Sequence, residues 1–79
     1  MRVLVRLYGY EPCVFTVNVV EYYDAANKIV HFSLSDGSII EVWKISIENM
    51  EYITRRLLID GYVDLSDYAA VYKLNEEEE

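Results

Sequence analysis

Between Lys28 and Trp43 apolar and polar side chains alternate on either side of Ser35-Asp36-Gly37, and no other stretch constrains the fold as tightly. Successive side chains of a strand point to opposite faces, so Val30, Phe32 and Leu34 share one face, and Ile40 and Val42 share one face of the returning strand. Both rows cover the same core only if Phe32 meets Ile40 and Val30 meets Val42. A two-residue Asp-Gly turn sets Phe32 against Glu41 and His31 against Val42, polar against apolar. A three-residue loop, Ser35-Asp36-Gly37, gives the required pairs. Such a loop is a type I turn followed by a residue at positive φ, so Gly37 is expected to be left-handed.

Strands extend this hairpin on its N-terminal side. Arg2 to Tyr8 reads as a first strand, with Val3, Val5 and Leu7 on one face. Pro12, which has no N–H for a ladder, places a turn over Gly9-Tyr10-Glu11-Pro12. Cys13 to Tyr23 forms a long second strand, and Asp24-Ala25-Ala26-Asn27 a loop that sets Val17 opposite Leu34, Val19 opposite Phe32 and Tyr23 opposite Lys28. Near Trp43 the apolar row changes face, which calls for a bulge or a bend.

Ser46 caps a helix running to about Asp60, with Ile47, Met50, Ile53 and Leu57 as its apolar stripe and Leu58 beside it. Glu51 and Arg55 stand four apart in the favourable order, and Gly61 stops the helix. Tyr62 to Leu65 is a short strand. Ser66 to Leu74 fits a brief helix or a strand over Tyr68 to Leu74, and its tyrosine and valine favour the strand. The expected fold is therefore α+β: an antiparallel meander of four N-terminal strands, one helix packed on one sheet face, and one or two short C-terminal strands. Residues 1–74 form one domain, followed by a disordered acidic tail over 75–79.

At 79 residues the core is small and association with a partner subunit is favoured. There is no apolar run of membrane-spanning length, and Met1-Arg2 leads straight into a strand pattern instead of a signal sequence. Cytoplasmic residence follows as the expectation, in keeping with a lone Cys13, read as a partly buried structural thiol. The net charge is −7, and Glu76 to Glu79 supply four of those negative charges. Such a surface repels nucleic-acid phosphates unless Arg2, Arg6, Arg55 and Arg56 gather into a basic patch.

No catalytic, cofactor-binding or metal-ligating set emerges. His31 is the only histidine and falls on the sheet surface without a placed nucleophile or carboxylate. Cys13 and His31 are too few for zinc, and Asp60, Asp64 and Asp67 read as solvated turn residues. Gly9, Gly37 and Gly61 stand too far apart for a phosphate loop.

Eight tyrosines remain, more than a small core can hide, and tyrosine suits protein interfaces. Tyr8, Tyr22, Tyr62, Tyr68 and Tyr72 are the candidate contact residues, along with the outer row of the hairpin around Ile29, His31, Ser33, Ile39 and Glu41. The expectation is a non-enzymatic protein-interaction module that forms homodimers or binds another protein. A narrower version is an acidic viral or mobile-element inhibitor of a host nucleic-acid-binding protein. The alternative is a nucleic-acid-binding regulator using the four arginines. Neither a membrane nor a small-molecule substrate is indicated.

Overall fold

The 28–43 hairpin forms in the expected register. Phe32 pairs with Ile40 and Val30 with Val42, Leu34 N–H donates to the Ser38 carbonyl at 2.9 Å, and Gly37 has φ +90°. The computed structural model describes residues 1–8 and 10–74. The acidic tail expected over 75–79 lies outside the described residues, as does Gly9 of the expected turn. In chain order the elements are β1 (Arg2–Val5), β2 (Cys13–Asp24), β3 (Ile29–Leu34), β4 (Ile39–Val42), α1 (Ile47–Asp60), β5 (Tyr62–Asp64) and β6 (Ala70–Lys73). No described helix is long and apolar enough to cross a membrane.

The sheet corrects the expectation of a simple antiparallel meander. Its strand order is β5-β1-β2-β3-β4-β6. β5 lies parallel to β1, with Val3 beside Val63, and β6 lies antiparallel to β4. Parallel neighbours need a long connection, and α1 is the last part of it, returning the chain so that β5 enters alongside β1 and in the same direction. The chain then crosses between the two ends of the sheet: Leu65 N–H donates to the Leu4 carbonyl, Leu7 bridges Ala70, and Trp43 N–H donates to the Ala69 carbonyl. One segment, 62–73, thus touches both margins and curls the sheet into a half-barrel.

The curl is built into β2. Its first part, Cys13 to Thr16, pairs with β1, and from Val17 onward it pairs with β3, with register irregularities between Val17 and Val19 and between Glu21 and Asp24. Val17 meets Leu34 as expected, but the first bulge brings Val20, not Val19, opposite Phe32 and turns Val19 outward. Cys13 is exposed at the start of the same strand, not partly buried.

Inside the curl lie Val3, Val5, Val17, Val30, Phe32 and Ile40, all essentially without solvent contact. α1 adds Ile53 and Leu57 to this core and packs chiefly beside β5, instead of lying across the meander face. The Ser46 Oγ accepts the Asn49 N–H, and Gly61 ends the helix at φ +69° while its carbonyl accepts the Arg2 N–H at 2.8 Å. Ile47 and Leu58, expected in or beside the buried stripe, are exposed. On the helix surface Arg56 pairs with Asp60 at 3.0 Å and lies over the Tyr52 ring, whereas the expected Glu51–Arg55 pair is absent among the described residues. The bend after β4 occurs at Lys44, whose φ of +68° sends Trp43 outward and Ile45 into the core.

A Gly37→Val variant is expected to lose about 1–3 kcal/mol, because a β-branched residue at this φ is strained even where no neighbour crowds it. A lower urea midpoint at unchanged slope is the readout.

Candidate functional site

The outer face of the half-barrel carries the polar and aromatic chemistry that the core rejects. On β3 and β4 the residues opposite the core row are His31, Ser33, Ile39 and Glu41, and Trp43 continues that row past the strand end. Glu41 is only 6% exposed although it sits on the outer face. Its Oε1 accepts from Lys73 Nζ at 2.8 Å and from His31 Nε2 at 2.9 Å, and its Oε2 accepts from the Trp43 indole N–H. Burial pushes this carboxyl up and is the largest single influence on it. Hydrogen bonds from Lys73, Trp43 and His31, with the Lys73 charge, outweigh burial and hold the pKa at about 2.

An ionised carboxylate only accepts hydrogen bonds, so the His31 proton is assigned to Nε2. The Tyr23 ring stacks on the imidazole, with centroids 4.0 Å apart and planes 11° from parallel. Tyr23, His31, Glu41, Lys73 and Trp43 thus form one contact chain. Its effect is to fix the Trp43 indole by its single polar atom, leaving carbon surface to face outward.

Beside Trp43 the face dips into a channel of about 720 Å³. Its floor is the 66–71 segment; one wall is Trp43 and the other is Arg6, Leu7 and Tyr8, on the extension of β1. Register explains the shape. Ala69 accepts the Trp43 N–H on one side of the floor segment, and on the other Leu7 bridges Ala70 in parallel while Ala70 accepts the Tyr8 N–H, so Trp43 stands level with Ala69 and Tyr8 level with Val71. Ala70 is buried and Leu7 packs against the core, which leaves the small, exposed Ala69 level with Trp43 on one side and Arg6 on the other, with Tyr8 farther along the same wall. Two strand spacings put the Arg6 and Trp43 backbones roughly 10 Å apart. Tyr8 is 88% exposed and Trp43 is 38% exposed, so both rings are open to solvent. Arg6 and Asp67 also line the channel, and neither is in an ion pair with a described residue.

Of the five candidate tyrosines, Tyr8 and Tyr68 come together here. Tyr68 is half-buried against the core, and its hydroxyl accepts from the Asn49 side-chain amide at 2.8 Å. Tyr72 is exposed on β6, Tyr62 is half-buried on β5, and Tyr22 packs on the core and donates its hydroxyl proton to the Ile45 carbonyl. The five do not form one surface. Trp43 and Ala69 were not among them; alternation with Glu41 marks Trp43 as outward, whereas nothing local marks Ala69.

The arginines divide likewise. Arg6 lines the channel, Arg56 is held by Asp60, Arg55 borders a shallow groove with Met50, Thr54 and Leu58, and Arg2 is exposed on β1. The three clustered aspartates also have separate roles: Asp60 pairs with Arg56, Asp64 accepts from Ser66, and Asp67 lines the channel. Asp24, Asp36 and Asp64 are held below the usual carboxylate range by hydrogen bonds from Asn27, Ser38 and Ser66 respectively.

Compared with protein-family models, curated proteins and solved structures, the chain matches none.

Proposed function

We propose that this chain is a small non-enzymatic protein-interaction module whose contact surface is the outer channel between Tyr8 and Trp43. The supporting observation is that two solvent-open aromatic side chains, Tyr8 and Trp43, line one channel together with the methyl-sized Ala69, and the buried Glu41 carboxylate fixes the Trp43 indole. Rigid aromatic walls around an apolar floor supply large contact area at little rotamer cost, the property that recommends tyrosine and tryptophan for protein contacts.

The test is a peptide-display selection on the wild-type protein with counter-selection on Ala69→Arg, which fills the channel from an exposed position. Sequences that bind the wild type and not the variant are expected. Enrichment of nothing, or of sequences that bind both equally, overturns the reading.

Self-association is supported by a second, separate surface. Leu58 is 79% exposed on α1 and shares a shallow groove with Met1 and Val19, both also exposed. Exposed apolar side chains gathered in one groove suit contact with another chain. Sedimentation velocity at micromolar concentration is expected to show a dimer that Leu58→Glu converts to monomer; a wild type that stays monomeric removes this surface from the proposal.

Other readings fit the geometry less well. Asp24, Asp36 and Asp64 close local turns, so they are poorly disposed to stand in for phosphates in an inhibitor. A nucleic-acid reading must use arginines that the fold divides among β1, the channel and the helix surface.

A further inference from the structure

The face of α1 that carries Leu58 is complementary to itself. Residues three and four apart lie along one side of a helix, so Ile47, Glu51, Thr54 and Leu58 form a single stripe with Arg55 at its border. Ile47 and Leu58, 61% and 79% exposed, stand at its two ends. Met50, Glu51, Thr54, Arg55 and Leu58 enclose a shallow depression of the helix surface, the kind of hole that a side chain of a facing helix enters. Glu51 and Arg55 are both exposed, and neither is in an ion pair with a described residue, whereas the neighbouring Arg56 is held by Asp60. Met1 and Val19, which share a second groove with Leu58, widen the apolar area open to a partner.

Order along the stripe selects the occupant. From the N-terminal end it runs apolar, acidic, basic, apolar: Ile47, Glu51, Arg55, Leu58. A second α1 laid alongside in the opposite direction presents the reverse order, so Ile47 meets Leu58 and Glu51 meets Arg55, each twice. One two-fold axis has to satisfy both pairs, because the contacts of a symmetric dimer are reciprocal. The midpoint of Ile47 and Leu58 falls between Tyr52 and Ile53, and that of Glu51 and Arg55 falls at Ile53. At the helical rise per residue these midpoints lie within about 1 Å of each other along the axis. The rotation of the helix also puts Glu51 and Arg55 on the same side of the line from Ile47 to Leu58, as the two-fold requires. Thr54, close to the centre, is small enough for two helices to approach to about 8–10 Å. A parallel partner sets Glu51 on Glu51 and Arg55 on Arg55, like charge on like. Charge on the stripe itself sums to zero, so the net charge of −7 opposes the contact only at range, where salt screens it within about 8–10 Å.

Resting on the self-association reading, we propose that two copies of this chain pair through α1 in antiparallel orientation, with Ile47 of each against Leu58 of the other and Glu51 of each bonded to Arg55 of the other.

Two charge reversals in the full chain, both at exposed positions, test the pairing. In a Glu51→Arg homodimer arginine faces arginine at both contacts, and in an Arg55→Glu homodimer glutamate faces glutamate. Each variant alone is expected to weaken the dimer roughly tenfold or more in sedimentation equilibrium. An equimolar mixture of the two is expected to restore association to within about threefold of wild type, because every mixed contact again joins a glutamate to an arginine. The repulsion that each reversal creates within its own helix persists in the mixture, so a weakened helix alone gives no rescue. The double variant, with opposite charges restored in one chain, is expected to dimerise as the wild type does. Single variants that dimerise like the wild type overturn the antiparallel pairing, as does a mixture or double variant that stays monomeric. If Leu58→Glu still disperses the wild-type dimer in that case, the self-association surface stands without this pairing. A wild type that is monomeric at micromolar concentration overturns both.

Discussion

Ending the chain after Asp60 is expected to abolish folding altogether. The deletion removes Val63, Leu65 and Ala70 from the core, strips β1 of its parallel neighbour and β4 of its antiparallel one, and leaves α1 without the strand it chiefly packs beside. Burying one valine or leucine side chain contributes about 1.5–3 kcal/mol. The whole margin for a domain of 79 residues is about 4–12 kcal/mol. Losing two such side chains, an alanine and both flanking ladders therefore exceeds most of that range. A meander capped by a helix behaves differently, because cutting its last short strands only trims an edge. Circular dichroism and amide chemical-shift dispersion distinguish the two, and a truncated chain that keeps a cooperative unfolding transition contradicts the half-barrel.

The same contrast explains what could be read in the sequence. Hairpin register is a local matter: the alternation on either side of Ser35-Asp36-Gly37 permits one pairing, and it is the pairing observed. Both helix caps are local too, since Ser46 and Gly61 each act within one turn of α1. The β1–β5 pairing is different. Arg2 meets Tyr62, 60 positions further along the chain, and neither strand carries a signal of its distant neighbour. Expecting each strand to pair with its sequence neighbour works until a helix intervenes, and here the helix intervenes between β4 and β5. The bulge in β2 was hidden for another reason. Val19 and Val20 are chemically alike, so moving the register by one residue leaves the apolar pattern intact while exchanging which valine faces Phe32.

The candidate site shows the same division. Outward placement of His31 and Glu41 follows from alternation alone, and so does the change of face near Trp43. The channel needs 66–71 to lie between Tyr8 and Trp43, which is a consequence of the nonlocal closure. Ala69 is therefore invisible as a floor until the topology is known. The tyrosine count does not show which of them stand free, because Tyr22 and Tyr68 use their hydroxyls to tie the fold internally.

Replacing Glu41 with glutamine is expected to cost about 2–3 kcal/mol near neutral pH, since one partner of a buried charged network is removed. Glutamine keeps one acceptor oxygen where the carboxylate gives two oxygens to Lys73, His31 and Trp43, and its amide N–H₂ then confronts another donor. Lys73 is half exposed, so it regains water in the variant and the cost stays below that of stranding a fully buried cation. Acid separates this effect from a packing defect. The folded-state pKa of Glu41, about 2, lies below its ordinary value of 4.5, so between those values the unfolded chain takes up a proton that the folded one does not. Its contribution is complete above pH 4.5 and disappears as pH falls toward 2, amounting to about 3 kcal/mol at most. Both proteins also lose stability in acid through Asp24, Asp36 and Asp64, whose carboxyls are held low by hydrogen bonds to neighbouring residues. Those losses cancel in the difference between wild type and variant. Urea unfolding across this range should therefore show a stability gap that is steady above pH 5 and closes toward pH 2, whereas a gap that stays constant shows that the ionised carboxylate is not what holds Lys73, His31 and Trp43 together.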